Sequence, residues 1–230
     1  MVRRRAPRVA RGFVRRWTAF AVEDLAARGV DSASGSDMRG WEDGDAEPSG
    51  RATRSPAARK RLVELKARIR SSDQLSARLR ALGATHRATL DQRDVYFRVA
   101  EGRLKLRHQR PGRDQLVFYR RPDVRDAKES DVLLHAVGDA LGLEELLSAA
   151  LGVDRVVVKK REVFEWHGTR VHVDRVEGLG EFLEFERDVG TDEPAAARER
   201  LRSLLGELGV SRSELEDGSY ADLLRAHGGT

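Results

Sequence analysis

The residues with the clearest potential for chemistry are charged side chains that alternate with apolar ones. In residues 62–70 and 103–107, almost every second side chain is acidic or basic. The same alternation occurs in residues 182–186, where the charged residues are acidic. It also occurs in residues 157–161, where Lys160 interrupts it. Because successive side chains of a β-strand point to opposite faces, each segment collects its charges on one face. The pattern predicts a sheet with one strongly charged face.

These charged faces, with those of neighbouring predicted strands, carry more cations than acids. The cations are Lys66, Arg68, Lys105, Arg107, Arg121, Lys159 and Arg161, and the acids are Glu64, Asp174, Glu184 and Glu186. At an effective dielectric of about 20, like charges about 4 Å apart repel by about 4 kcal/mol. A cavity lined by these cations therefore requires an anion, and Lys and Arg are natural donors to the oxygens of a polyphosphate.

Two of the acids, Glu184 and Glu186, lie two residues apart on one strand face and can jointly hold a hard cation. Mg²⁺ or Mn²⁺ usually binds one or two carboxylates plus the phosphate oxygens of a substrate. If the charged rows line one cavity, they indicate a site for a triphosphate and a divalent metal ion. On an open sheet, the same charges would form a solvated face whose exposed ion pairs contribute little.

Turn and capping signals predict the elements that would position these residues. Strands are expected at 61–70, 93–99, 103–109, 115–121, 130–136, 156–166, 169–176 and 182–188, and helices at 73–82, 139–151, 192–208 and in a last short segment reaching Leu224. Ser72 is expected to cap the first helix, and Ser211 or Ser213 the last. Tight turns between strands require antiparallel pairing. We therefore expect an α+β fold, an eight-stranded antiparallel closed β-barrel with flanking helices that encloses one small ligand.

Four segments resemble the CYTH superfamily. Residues 62–68 are similar to its N-terminal Glu-x-Glu-x-Lys signature, one Glu short, and residues 102–107 resemble its third-strand element. Residues 158–161 resemble its Lys-x-Arg element. The most specific match is in residues 170–186, which are similar to its segment of an Asp followed by Gly-Leu-Gly-x-Phe-x-Glu-x-Glu. Among the members of the superfamily, these motifs are most similar to those of the class IV adenylate cyclases.

The resemblance implies a triphosphate tunnel with a charged interior. It implies Mg²⁺ or Mn²⁺ bound by acids matching Glu64, Glu184 and Glu186, with Asp174 nearby. It implies phosphate contacts from Lys66, Lys105, Arg107, Arg121, Lys159 and Arg161, to which the strand pattern adds Arg68. We assign catalytic roles to Lys66 and Asp174, with Asp174 as the candidate base.

The resemblance leaves three functions open. Members convert ATP to cyclic AMP and pyrophosphate, which we take as the first expectation, or hydrolyse tripolyphosphate, thiamine triphosphate or an RNA 5′-triphosphate. The third alternative is a non-catalytic module that binds polyphosphate or RNA. Its motivation is Leu62, which stands where the family has its first Glu. The loss of that carboxylate could lower metal affinity, leave one metal ion instead of two, or mark altered or absent catalysis.

The histidines offer no metal site by their spacing. None of the 6 is paired with another at the spacing of metal ligands. His172 shares a strand face with Asp174 and is expected to be an ordinary strand histidine, with ligand contact as the alternative.

The positive charge is concentrated near the N-terminus. The first 60 residues hold 13 Lys and Arg against 8 Asp and Glu, whereas residues 61–230 hold 30 of each. We expect a disordered Arg-rich leader over 1–59 and a barrel domain over 60–230 that includes the C-terminal helices. The neutral domain does not favour nucleic-acid binding, except through the basic leader.

The composition also limits which cellular compartment and which partners are expected. The chain has no cysteine, which fits a reducing cytoplasm. It has no apolar run of about 18 residues, so no membrane contact is expected. The expected partner is a small-molecule triphosphate, and a homodimer is allowed.

Overall fold

The computed structural model describes residues 57–190 and 193–227, so most of the predicted leader lies outside the described residues. Within these ranges the strands are β1 (Ala58–Ile69), β2 (Thr85–Phe97), β3 (Arg103–Arg110), β4 (Gln115–Arg120), β5 (Lys128–Ala136), β6 (Val153–Trp166), β7 (Thr169–Val176), β8 (Gly180–Asp188) and the short β9 (Leu215–Glu216). The helices are α1 (Ser72–Ala81), α2 (Ala140–Leu151), α3 (Pro194–Glu207) and α4 (Tyr220–His227).

The long strands close into a barrel. Their order is β5-β4-β3-β2-β6-β7-β8-β1, and β1 pairs again with β5. Every pairing is antiparallel, and β9 adds two residues beside β1. The expected eight-stranded antiparallel closed β-barrel with flanking helices is confirmed. Within the described ranges, no helix has the length and apolar character needed to cross a membrane.

The outer helices determine which face of β1 points into the barrel. Val63 and Leu65 are fully buried and belong to one apolar core with Leu201 and Leu205 of α3. Because that face of β1 is covered by a helix, the alternate face with Glu64 and the residues after it points to the interior. The charged face is therefore the inner face of the barrel.

The second strand is longer than its sequence pattern indicates. It begins at Thr85 rather than at residue 93, and its first half pairs with the second half of β6. This half is largely polar and exposed, so it shows no clean alternation of apolar and polar residues. Its strand conformation comes from pairing with a distant partner and not from local propensity.

Two predicted helix caps are wrong. The side chain of Ser71, not Ser72, accepts a hydrogen bond from the Gln74 backbone N–H at the start of α1. Ser211 caps a 3₁₀ turn ahead of β9 and not the last helix. At the start of α4, Ser219 Oγ accepts from the Asp222 N–H while the Asp222 carboxylate accepts from the Ser219 N–H. This reciprocal capping fixes where α4 begins.

Candidate active site

The barrel encloses a cavity of about 500 Å³. Nearly all of the predicted charged set lines it, namely Glu64, Lys66, Lys105, Arg107, Arg121, Lys159, Arg161, Glu184 and Glu186. Asp174 is fully buried and contacts this lining through Arg161. The structure thus brings together, inside one cavity, charges that come from strands far apart in the sequence.

Asp94 holds three of the cations together. Its carboxylate is fully buried, and Lys105 Nζ and Lys159 Nζ each lie 2.9 Å from Oδ2. Arg107 donates from Nε to Oδ1 at 2.7 Å and from Nη2 to Oδ2 at 3.0 Å. Burial alone would raise the pKa of the Asp94 carboxyl, but these cations hold it well below its usual value. One carboxylate thus faces three cations, and the cluster attracts further negative charge.

The sequence pattern did not identify Asp94, although a signal was present. Gln92, Asp94 and Tyr96 alternate along β2, and Gln92 and Tyr96 line the cavity. Asp94 therefore lies on the inner face of a strand whose charges are mixed in sign and interrupted by uncharged polar residues.

Burial makes the two lysines of this cluster weak bases. It lowers the pKa of Lys105 to about 7, with a further lowering by Arg107. It lowers the pKa of Lys159 to about 8, against the opposing attraction of Asp94. Both side chains are therefore partly neutral near pH 7 in the free protein. A bound anion would favour their charged forms.

Arg161 is the centre of a second cluster. Its guanidinium donates to Asp174 from Nε to Oδ1 at 2.7 Å and from Nη2 to Oδ2 at 2.6 Å. It also reaches Glu184 Oε2 at 2.8 Å. The Tyr220 hydroxyl donates to Asp174 Oδ2 at 2.8 Å, and Lys66 Nζ lies 3.4 Å from Glu184 Oε1. Asp174 therefore fixes Arg161 and Tyr220, and both of its oxygens are engaged. Tyr220 is thus part of the site.

The acids meet where β7, β8 and β1 are neighbours. Glu186 is the cross-strand partner of Glu64 on β1, and Glu184 is the partner of His172 on β7. His172, Glu184 and Glu186 offer ligand atoms that all lie within 4.8 Å of one another. Glu64 forms an ion pair with Arg121. Two carboxylates and an imidazole are donors that a divalent cation accepts, so these residues fit a metal ion.

The CYTH domain profile matches residues 60–220. The chain belongs to the CYTH family. A relative from Methanocaldococcus jannaschii, provisionally named an adenylate cyclase, is 25% identical over 172 residues, which are 70% of this chain and 97% of the relative. Proteins of the CYTH family bind triphosphate substrates and are in general metal-dependent.

Solved structures of two similar proteins support the assignment of the fold. The PH1012 protein of Pyrococcus horikoshii is 25% identical with a TM-score of 0.65, covering 70% of this chain and 98% of its own. A conserved hypothetical protein of Pyrococcus furiosus is 26% identical with a TM-score of 0.64, covering 70% of this chain and 99% of its own.

Two residues of the segment that resembles the CYTH signature, Arg68 and Leu62, offer no charged group to the cavity. Arg68 does not line the cavity: its guanidinium donates to Glu216 at 2.5 Å and to the Leu179 carbonyl at 3.0 Å. Its phosphate contact stays a prediction. Leu62 does line the cavity, where it offers an apolar side chain and no ligand atom.

The buried lysines predict that the free CYTH protein becomes more stable as pH rises from about 7 to about 9. Lys105 and Lys159 have a folded-state pKa of about 7 and about 8, against 10.5 for an ordinary lysine. In this window the folded state loses protons that the unfolded state retains, so the free energy of unfolding increases with pH. Lys128, whose burial lowers its pKa to about 7, adds to the same trend.

Urea denaturation at several pH values, without polyanions, tests this expectation. The double variant Lys105→Met/Lys159→Met should flatten the rise. Lys160→Met, at an exposed position next to Lys159, should keep it. A free energy of unfolding that falls over the same range would contradict the prediction.

Proposed function

We propose that this protein binds a linear triphosphate with a divalent metal ion inside the barrel and converts ATP to cyclic AMP and pyrophosphate. One observation carries the proposal: the cations of β3 and β6 and the acids of β8 line the same cavity of about 500 Å³. This space suits a ligand with a long, negatively charged chain. The charged rows are not spread over an exposed sheet, where they would contribute little.

The cluster at Asp94 would bind the phosphate chain. A triphosphate beside Lys105 and Lys159 would raise the pKa of both ammonium groups, so each lysine would bind it in the charged form. Arg107 stays charged beside them and can donate two parallel hydrogen bonds to phosphate oxygens. The excess of cations over acids in this cluster supports its assignment to the phosphates.

The cluster at Arg161 would stabilise the charge that develops during transfer. Asp174 holds Arg161 and Tyr220 in fixed positions, so little reorganisation is needed as the reaction proceeds. Lys66, 4.0 Å from the centre of the Tyr220 ring, adds a positive charge on the same side. In the cyclase reaction the ribose 3′-hydroxyl gives up its proton to solvent, and its oxygen bonds to the α-phosphorus as the bond to the leaving pyrophosphate breaks. The engagement of both Asp174 oxygens supports a positioning role for this residue more than a role as base.

The acids of β8 would hold the metal ion. Glu184 and Glu186 would be ligands, and Glu64, opposite Glu186, would complete the acidic face. When bound, such an ion would neutralise the negative charge that develops on the phosphate oxygens. The name given to the M. jannaschii relative supports cyclase over hydrolase as the reaction.

Product analysis tests the proposal. Purified full-length protein is incubated with ATP, tripolyphosphate or thiamine triphosphate and Mg²⁺ or Mn²⁺, and the products are resolved by chromatography. Cyclic AMP and pyrophosphate from ATP are the expected products. Orthophosphate release would overturn the cyclase assignment in favour of a triphosphatase. Binding without turnover, with a salt dependence lost on deletion of residues 1–59, would favour a polyphosphate- or RNA-binding module.

A matched pair of variants controls for contaminating enzymes. Lys159 lines the cavity, and Lys160 points to the opposite face of β6. Lys159→Met should lose most of the turnover, whereas Lys160→Met should keep it. Equal turnover in both variants would show that the activity does not arise in this cavity.

A further inference from the structure

His172 is buried in the cavity wall, and one of its ring nitrogens is unpaired among the described residues. It is 3% exposed, and its Nδ1 has no hydrogen-bond partner in the described residues. That atom lies 3.6 Å from Glu184 Oε2 and 3.8 Å from Glu186 Oε1. Both distances are too long for hydrogen bonds. An unpaired buried ring nitrogen that faces two carboxylates requires an explanation.

We propose that His172 is a metal ligand through Nδ1, completing a set of one imidazole and two carboxylates with Glu184 and Glu186. The site would then prefer a first-row transition ion such as Mn²⁺ or Co²⁺ over Mg²⁺. The inference rests on the proposed function, because it identifies the kind of metal ion that the same site takes.

The distances between the ligand atoms of His172, Glu184 and Glu186 suit coordination of one ion better than direct hydrogen bonds between these side chains. Metal bonds to imidazole nitrogen and carboxylate oxygen are about 2.0–2.2 Å long, so two ligands of one ion lie at most about 4.4 Å apart. The three ligand atoms already lie within 4.8 Å of one another. A small inward movement of these side chains would therefore complete the set. The strand pairing supports this ligand set, because His172 and Glu184 are cross-strand partners.

The competing contacts leave His172 as the third ligand. Glu64, the other acid of this face, is paired with Arg121. Glu184 and Glu186 contact Arg161 and Arg170, but each carboxylate keeps further lone pairs for an ion. Across residues 57–190 and 193–227, no side chain lies within hydrogen-bond distance of His172 Nδ1, so this nitrogen is the donor most free to bind.

A nitrogen ligand changes which ions bind well. Mg²⁺ takes hard oxygen ligands and releases its water reluctantly, whereas imidazole suits transition metals. Affinity for a mixed nitrogen and oxygen site increases from Mn²⁺ to Co²⁺ along the divalent series. Selectivity among the ions therefore reports directly on whether His172 is bound.

The test measures the metal ion itself in full-length protein, without a nucleotide. Pulsed electron paramagnetic resonance of bound Mn²⁺ should show coupling to one ¹⁴N nucleus, and ¹⁵N-labelling of histidine should change that coupling. In His172→Gln the coupling should vanish. Affinity for Co²⁺ and Mn²⁺ should fall about 10- to 100-fold, and affinity for Mg²⁺ less than about threefold.

His108→Gln is the matched control. His108 is also buried, but it lies on β3 outside the cavity lining and its Nε2 contacts Glu144 at 2.6 Å. This variant should keep both the nitrogen coupling and the order of affinities. The isotope experiment uses wild-type protein, so it gives a result even if His172→Gln folds poorly.

Three results would overturn the inference: bound Mn²⁺ without nitrogen coupling, an equal loss of affinity for all ions in His172→Gln, or no metal binding at all. Triphosphate turnover without nitrogen coupling would remove the inference and leave the proposed function intact. Nitrogen coupling in a protein that turns over no triphosphate would support the ligand assignment and overturn the proposed function.

Discussion

Replacing Glu184 with Gln should lower kcat/KM for the triphosphate substrate by about 10²- to 10³-fold. The substitution keeps the shape of the side chain and removes its charge. Among the residues that the structure describes, Glu184 is the one acid that lies within ion-pair distance of both Lys66 and Arg161 and also belongs to the cluster that fits a metal ion. Its loss would remove a proposed metal ligand and one carboxylate partner from each of these two cations. Steady-state kinetics at saturating metal, with a thermal melt of each variant, measures the effect.

The same variant should keep its affinity for tripolyphosphate in the absence of metal. Removal of a negative charge makes the cavity more attractive to an anion, so metal-free binding should be unchanged or tighter. Glu165→Gln is the control, because Glu165 is an exposed residue of β6 that pairs with Arg87 at the surface. It should keep wild-type kinetics. Full turnover by Glu184→Gln would exclude Glu184 from the reaction.

Much of the inner wall could be predicted from the sequence because a strand has a period of two residues. Once β1 is a strand with an apolar face under a helix, Glu64 and Lys66 must point to the other side. Arg161 on β6 and Glu184 on β8 follow by the same reasoning. Closure of the barrel then makes that side an interior.

Alternation identifies a face but not a position along the barrel. Arg68 shares the inner face of β1 with Lys66, yet it pairs with Glu216 of β9, a strand of two residues far along the chain. So short a strand has no pattern of its own to read. Arg68 therefore lies outside the cavity lining for a reason that its own segment does not contain.

The places of Asp94 and Tyr220 in the site could not be predicted because they depend on tertiary contacts outside their own segments. Asp94 meets its three cations because β2 lies between β3 and β6, and this strand order cannot be read from β2. Tyr220 enters the site because Ser219 and Asp222 fix the start of α4. The capping signal was present in the sequence, but its position against the barrel was not.

Asp94→Asn should destabilise the free protein by about 3–5 kcal/mol, the usual cost of removing one partner from a buried group of charges. The substitution leaves Lys105, Arg107 and Lys159 close together without their shared carboxylate. Burial already lowers the pKa of Lys105 to about 7 and of Lys159 to about 8, and the variant should lower both further. Equilibrium urea denaturation measures the loss. Asp91→Asn, at an exposed position of the same strand, should stay within about 0.5 kcal/mol of wild type.

Tripolyphosphate should restore more stability to Asp94→Asn than it adds to the wild-type protein. A ligand stabilises the folded state in proportion to the logarithm of its concentration over its Kd. In the variant, the anion would be the counter-charge that favours protonation of both lysines and pairs with Arg107, with no carboxylate competing for them, so its Kd should be lower than in wild type. The difference separates a binding role of the cluster from a purely structural one. If tripolyphosphate raised the free energy of unfolding equally in wild type, Asp94→Asn and Asp91→Asn, the cations at Asp94 would not be the phosphate site.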